Sequence, residues 1–120
     1  EISQQLLDQL ALATPHIAGY SLEGKARGTQ MIYEAFCNTF GYKASKRFES
    51  QLPHVEQYFE QRDLKTALKQ HLTQIYNIAE DDRQLRACVD AGKVEQTAFD
   101  LLRKNYPLRR EWAAHGGPKA

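Results

Sequence analysis

A mainly α fold, α+β at most, is predicted by three observations on these 120 residues. Apolar side chains recur at spacings of three and four through residues 21–40, 63–80 and 93–106, the period of a helix with one buried stripe. Strand-like runs are confined to two short stretches, 10–14 and 54–59. The chain holds no Gly-x-Gly-x-x-Gly fingerprint and no alternation of strands with helices from which a nucleotide-binding sheet could be built.

Residues 2–9 set Ile2, Leu6 and Leu7 at helical spacing among polar side chains. Leu10–Thr14 reads as a short buried strand or a strand-like connection, and Pro15 holds Thr14 extended. Without sheet neighbours the backbone groups of such a strand lack partners, so residues 1–20 are expected to be poorly anchored or to borrow a partner chain. Ser21 can cap a helix running to about Phe40, with Leu22, Ala26, Thr29, Tyr33, Phe36 and Phe40 on one face and Ile32 and Ala35 broadening it. Gly24 and Gly28 fall inside this helix, where each glycine costs roughly 1 kcal/mol. Close packing against backbone or cofactor is the expected reason.

Gly41 is placed to end that helix in the left-handed conformation. Residues 42–53 read as a polar connecting loop, and His54–Phe59 as an edge strand. Asp63 caps a helix carrying Leu64, Leu68, Leu72, Ile75 and Ala79. Asp81-Asp82 caps a short helix with Leu85, Cys88 and Val89, stopped near Gly92. A last helix runs from about Val94 to Tyr106 and is ended by Pro107, and Ala113 onward reads as a flexible tail. The organisation expected is therefore 1–20, a long connecting helix over 21–41, a helical domain over 42–112 and a tail over 113–120.

Sixteen basic and fifteen acidic side chains leave a net charge of +1, which gives no field directed at nucleic acid or anionic lipid. The cluster Arg103-Lys104 with Arg109-Arg110 suggests phosphate binding, but reads more readily as a solvated helix end suited to the helix dipole. Cys37 and Cys88 sit in helical patterns and fit buried thiols in a reducing cytoplasm. His54, His71 and His115 share no ligand spacing, so no metal is expected and they read as surface residues. No apolar run approaches the ~20 residues that span a bilayer.

The chemistry concentrates in Thr14-Pro15-His16-Ile17-Ala18-Gly19-Tyr20-Ser21-Leu22-Glu23-Gly24-Lys25-Ala26-Arg27-Gly28-Thr29. A histidine ends an extended segment, and three residues later a glycine allows backbone to approach a flat ring. Thr14-Pro15-His16-Ile17-Ala18-Gly19 resembles the motif carrying the catalytic histidine of the NAD-dependent D-2-hydroxyacid dehydrogenases. The longer string is similar to the branch of that family that oxidises 4-phosphoerythronate. Phe99-Asp100-Leu101-Leu102-Arg103-Lys104-Asn105-Tyr106-Pro107-Leu108-Arg109-Arg110-Glu111-Trp112 resembles the C-terminal dimerisation domain of the same branch.

That resemblance implies a C-terminal fragment: the last strand or loop of a Rossmann-type NAD-binding domain, its long helix, and a helical dimerisation domain. It implies His16 as proton donor and acceptor, Gly19 beside the nicotinamide of NAD, and Tyr20 as a substrate contact near the phosphate. Tyr20 also fits a core aromatic under the long helix, while Lys25 and Arg27 fit an exposed helix face better than a phosphate site. The glutamate and arginine that complete such a site in the family belong to upstream segments, so the isolated fragment is expected to be inactive. The implied product is 2-oxo-3-hydroxy-4-phosphobutanoate, on the route to pyridoxal 5′-phosphate, and the implied assembly is a cytoplasmic homodimer. Leu68, Leu72, Ile75, Leu101 and Leu102 are the candidate interface. Two alternatives stand beside this reading: another D-2-hydroxyacid dehydrogenase such as phosphoglycerate dehydrogenase, and a helical dimerisation module without activity.

Overall fold

The computed structural model describes residues 1–56 and 64–116. Helices dominate, and the described strands form one two-stranded sheet, as the apolar periodicity requires. The chain packs as two compact units, Glu1–Ala18 with Leu72–Pro107, and Gly19–His71 with Leu108–Ala120.

In the first unit, α1 spans Gln4–Asp8 and begins at Ser3, whose hydroxyl accepts the Leu6 amide at 3.2 Å. After α3 (Leu64–Ile75) the chain turns, and Asn77 caps α4 (Ile78–Ala87) by accepting the Glu80 amide. The sequence placed this boundary later, with the first helix running to residue 80 and Asp81-Asp82 as the next cap. Asn77 takes the cap instead, so Glu80 and Asp81 fall in the first turn of α4, where negative charge favours the helix dipole, and Arg86 falls in its last. The Asp63 cap and most of the His54–Phe59 strand lie outside the described residues, and His54–Glu56 is not strand.

A second correction concerns residues 88–95. The expected helices around Cys88–Val89 and from Val94 give way to a hairpin, β1 (Val89–Asp90) against β2 (Lys93–Val94). Its two-residue loop is Ala91-Gly92, with φ of 46° and 78°. Positive φ at both central positions is the turn whose twist matches that of antiparallel strands. The N-terminal segment pairs alongside: Val94 donates to the Ile2 carbonyl and Gln4 donates to the Gly92 carbonyl. The helix α5 then starts at Gln96, capped by the Glu95 carboxylate, and ends at Lys104.

Leu10–Thr14 is not a strand. The Ala13 amide donates to the Asp82 carboxylate at 2.8 Å, while Arg86, paired with Asp82, donates to the carbonyls of Leu7 and Leu10. An ion pair on α4 thus meets backbone groups that a sheet would otherwise have met. This also anchors the N-terminal segment within its own chain. Leu7, Pro15, Ile17 and Leu85 are buried in this unit, and the buried Asp81 accepts the Tyr106 hydroxyl at 2.8 Å.

In the second unit, α2 spans Leu22–Phe40 between the Ser21 cap and Gly41, whose φ is 71°. Both ends match the sequence reading. The 42–53 segment folds back along α2 and winds into a 3-10 turn at Phe48–Gln51. Phe48 meets Tyr33 edge to face at 5.9 Å, and the Gln30 side chain bonds the backbone of both Lys46 and Phe48. Cys37 is buried, but Met31, Ile32, Phe36 and Phe40 are exposed, so much of the predicted apolar face lies uncovered within this chain. A second 3-10 turn, Trp112–His115, closes the described part of the unit.

Candidate functional site

The histidine segment starts from Pro15. The ring fixes φ near −65°, which suits the centre of a three-residue turn, and the His16 amide closes that turn on the Thr14 carbonyl at 2.8 Å. His16 itself takes a φ of 57°, in the left-handed region. Few residues other than glycine accept that conformation, histidine among them, at an expense of roughly 1–3 kcal/mol held by surrounding structure. The surroundings that hold it are evident: Pro15 and Ile17 are buried on either side, while His16 is exposed. Two buried neighbours thus flank one exposed imidazole carried on left-handed backbone.

His16 belongs to the first unit, and Gly19 and Tyr20 open the second. Gly19 has φ of 72°, and a Cβ added there would meet nothing within 4 Å. Conformation requires glycine at this point, and the space beside it stays open. Tyr20 is half-buried, with the Lys25 ammonium 4.6 Å from its ring centroid, a cation–π contact. Lys25 and Arg27 are exposed, as the sequence suggested.

The two helix glycines separate. A Cβ on Gly24 would lie 2.7 Å from the Gly19 carbonyl oxygen and 2.9 Å from the Ser21 hydroxyl, so Gly24 lets the Gly19–Ser21 turn close onto α2. Gly28 has nothing within 4 Å of the same point.

The residues that hold this turn come from the far end of the sequence. Arg109 bridges Ser21 and accepts the Leu22 amide at 2.8 Å. Arg110 Nε donates to Glu23 at 2.5 Å with both side chains largely buried, and Arg110 also donates to the Pro53 carbonyl. The Glu111 amide donates to the other Glu23 oxygen at 2.9 Å, and the Glu111 carboxylate accepts from Ser21 at 3.0 Å and from Arg27 at 3.2 Å. Burial pushes the Glu23 carboxyl up, but the Arg110 bond, the amides of Glu111 and of Glu23 itself, and the Arg110 charge outweigh it. The net result lies below the usual carboxylate value.

This network corrects the reading of Arg109-Arg110 as a solvated helix end; only Arg103 and Lys104 occupy the last turn of α5. Its partners are separated by 87 residues, so no local spacing could reveal it. His54 is exposed, whereas His71 and His115 are half-buried rather than surface residues.

A family model described as "Domain of unknown function (DUF3410)" matches residues 50–115, and the chain belongs to that family. Curated relatives named erythronate-4-phosphate dehydrogenase align with nearly the whole chain. That of Acinetobacter baumannii strain AYE is 76% identical over 119 residues, covering 99% of this chain and 34% of the relative. The Acinetobacter baylyi protein is 71% identical with the same coverage. One from a Psychrobacter species is 50% identical, covering 92% of this chain and 32% of the relative. The chain therefore spans about a third of the length of the curated relatives it matches.

Proposed function

We propose that this chain supplies the proton-transferring histidine and the cofactor-side turn of an NAD-dependent dehydrogenase that oxidises 4-phosphoerythronate to 2-oxo-3-hydroxy-4-phosphobutanoate. The observation that carries the reading is His16: an exposed histidine in left-handed backbone, between two buried neighbours. Strain of this kind, held by surrounding structure, collects at functional positions. The names of relatives 76% and 71% identical supply the substrate.

The chemistry follows from the substrate. Removing hydrogen from a 2-hydroxy acid requires a base for the hydroxyl proton, and the imidazole of His16 is that base, becoming the acid in the reverse direction. NAD, if bound, would supply the hydride acceptor, and Gly19 is the residue that would face it. Gly19 fits such a group, since its missing side chain leaves open space where a flat ring can approach. Tyr20 contributes a neutral phenol donor toward the substrate.

The wider assignments belong to this reading too. The product serves pyridoxal 5′-phosphate biosynthesis, the two free thiols suit a reducing cytoplasm, and the assembly is a homodimer. The 120 residues alone neither bind NAD appreciably nor turn over hydroxy acid, because they carry no phosphate-binding glycine fingerprint.

In a protein of the relatives' full length containing this chain, His16→Ala should lower turnover ~10²–10⁴-fold, the usual range for losing a general acid–base group. Substrate affinity should change far less. Near-normal turnover in the variant would show that His16 is not the base.

A further inference from the structure

We propose that Glu111 is a positioning residue for the candidate site, holding the Gly19–Tyr20–Ser21 turn from within the DUF3410 segment. This rests on the dehydrogenase reading above for its catalytic meaning. The geometry that supports it does not.

The Ser21 hydroxyl is buried and committed on both sides. It donates a hydrogen bond to the Glu111 carboxylate at 3.0 Å and accepts one from the Gly24 amide at 3.0 Å. With both bonds made, the hydroxyl has one orientation, and the residue immediately after Tyr20 is fixed. The second clamp is steric. Gly24 presents no side chain to the Gly19 carbonyl, so the first turn of α2 closes directly onto the residue proposed to face the cofactor. The third is backbone pairing, with residue 109 laid beside 21 and bonded to the Leu22 amide.

Glu111 joins these clamps. Its own amide is held by Glu23 at 2.9 Å, one carboxylate oxygen accepts the Ser21 hydroxyl, and the other meets the exposed Arg27. An exposed ion pair contributes little, so the working part of Glu111 is the oxygen on Ser21 rather than the charge. Glutamine at this position keeps that acceptor, and alanine removes it. Residue 111 lies inside the family-matched segment 50–115 and the turn lies outside it. A domain described only as of unknown function thereby reaches the backbone on which the proposed cofactor and substrate contacts sit.

The test has two parts. In 15N–1H spectra of this chain, Glu111→Ala should move the Gly19, Tyr20 and Gly24 amide signals and speed hydrogen exchange at Gly24, while Glu111→Gln leaves them near wild-type positions. In a protein of the relatives' full length, Glu111→Ala should raise the KM for 4-phosphoerythronate ~10-fold, the equivalent of one substrate hydrogen bond lost at Tyr20, with kcat much less affected, as loss of uniform binding requires. Glu111→Gln should restore it. Signals of residues 19–24 unmoved in Glu111→Ala, with changes confined to residues 109–113, would overturn the positioning role. Failure of Gln to rescue would overturn it as well. A wild-type full-length protein without turnover sinks the dehydrogenase reading instead, and the spectra still decide whether Glu111 holds the turn.

Discussion

Replacing Gly24 and Gly28 separately by alanine gives opposite effects from the same chemical change. Both sit in α2, where alanine gains roughly 1 kcal/mol over glycine through the helix propensity alone. At Gly28 the new methyl enters open space, so the gain should appear nearly whole. At Gly24 the methyl would come within 2.7 Å of the Gly19 carbonyl and 2.9 Å of the Ser21 hydroxyl. Neither obstacle is the loose end of a flexible side chain: one is backbone, the other a hydroxyl bonded on both sides. Forcing them apart costs about 1–3 kcal/mol as overpacking, and weakening the Ser21 cap adds about 1 kcal/mol. The net for Gly24→Ala is then a loss of about 1–3 kcal/mol, and the two variants should differ by about 2–4 kcal/mol. For a folding unit of 60–100 residues each kcal/mol moves Tm by about 4–8 °C. Circular dichroism melts, repeated as urea titrations, measure this directly. Equal Tm values for the two variants, or a Gly24→Ala more stable than wild type, would refute the packing of Gly24 on the Gly19 turn.

Three further outcomes are expected. Ala91→Asn should stabilise the hairpin, because Ala91 sits at φ 46° before Gly92 and asparagine accepts that region far better than alanine; a gain of about 1 kcal/mol in urea unfolding is anticipated, and a loss would contradict the turn assignment. The Glu23 carboxyl is held below its usual value, so its stabilisation is complete above the unfolded value of about 4.3 and is lost as pH falls through the lower folded value. Glu23→Gln should therefore flatten the fall of Tm on acidification, and an unchanged acid slope would count against the Arg110–Glu23 pair as a contributor. Of the proposed homodimer's candidate contacts, Leu72 on α3 and Leu101 on α5 are exposed, Ile75 and Leu102 are half-buried, and the Leu68 side chain lies outside what the structure describes; light scattering at micromolar concentration should give twice the chain mass, and a clean monomer would leave these leucines as ordinary surface.

Much of the architecture was legible in the sequence because its determinants are local. Ser21 and Gly41 bound α2 through a hydroxyl cap and a left-handed glycine, both set by residues within one helical turn. His16, Gly19 and Tyr20 were marked by the resemblance of their string to the dehydrogenase motif. What the chain order could not give is their conformation: the left-handed backbone at His16 depends on Pro15 and Ile17 being buried beside it. The local signals also misled where two neighbours offered similar chemistry. Asn77 outcompeted Asp81-Asp82 as a cap, and Gly92, read as a helix stop, became with Ala91 a hairpin turn because strands on either side could pair.

By itself, then, the sequence determined the helical character and the ends of the long helix, both consequences of periodicity and short-range bonding, while the candidate site residues were marked only by its resemblance to the dehydrogenases. Only the tertiary structure decided that Asp82 and Arg86 hold the N-terminal segment in place of a sheet, and that Glu23, Arg110 and Glu111 lock the Gly19–Ser21 turn. Those bonds join residues 69 to 90 positions apart. A charged side chain in sequence looks the same whether it ends in water or against a carboxylate from the other end of the chain, and folding alone distinguishes the two.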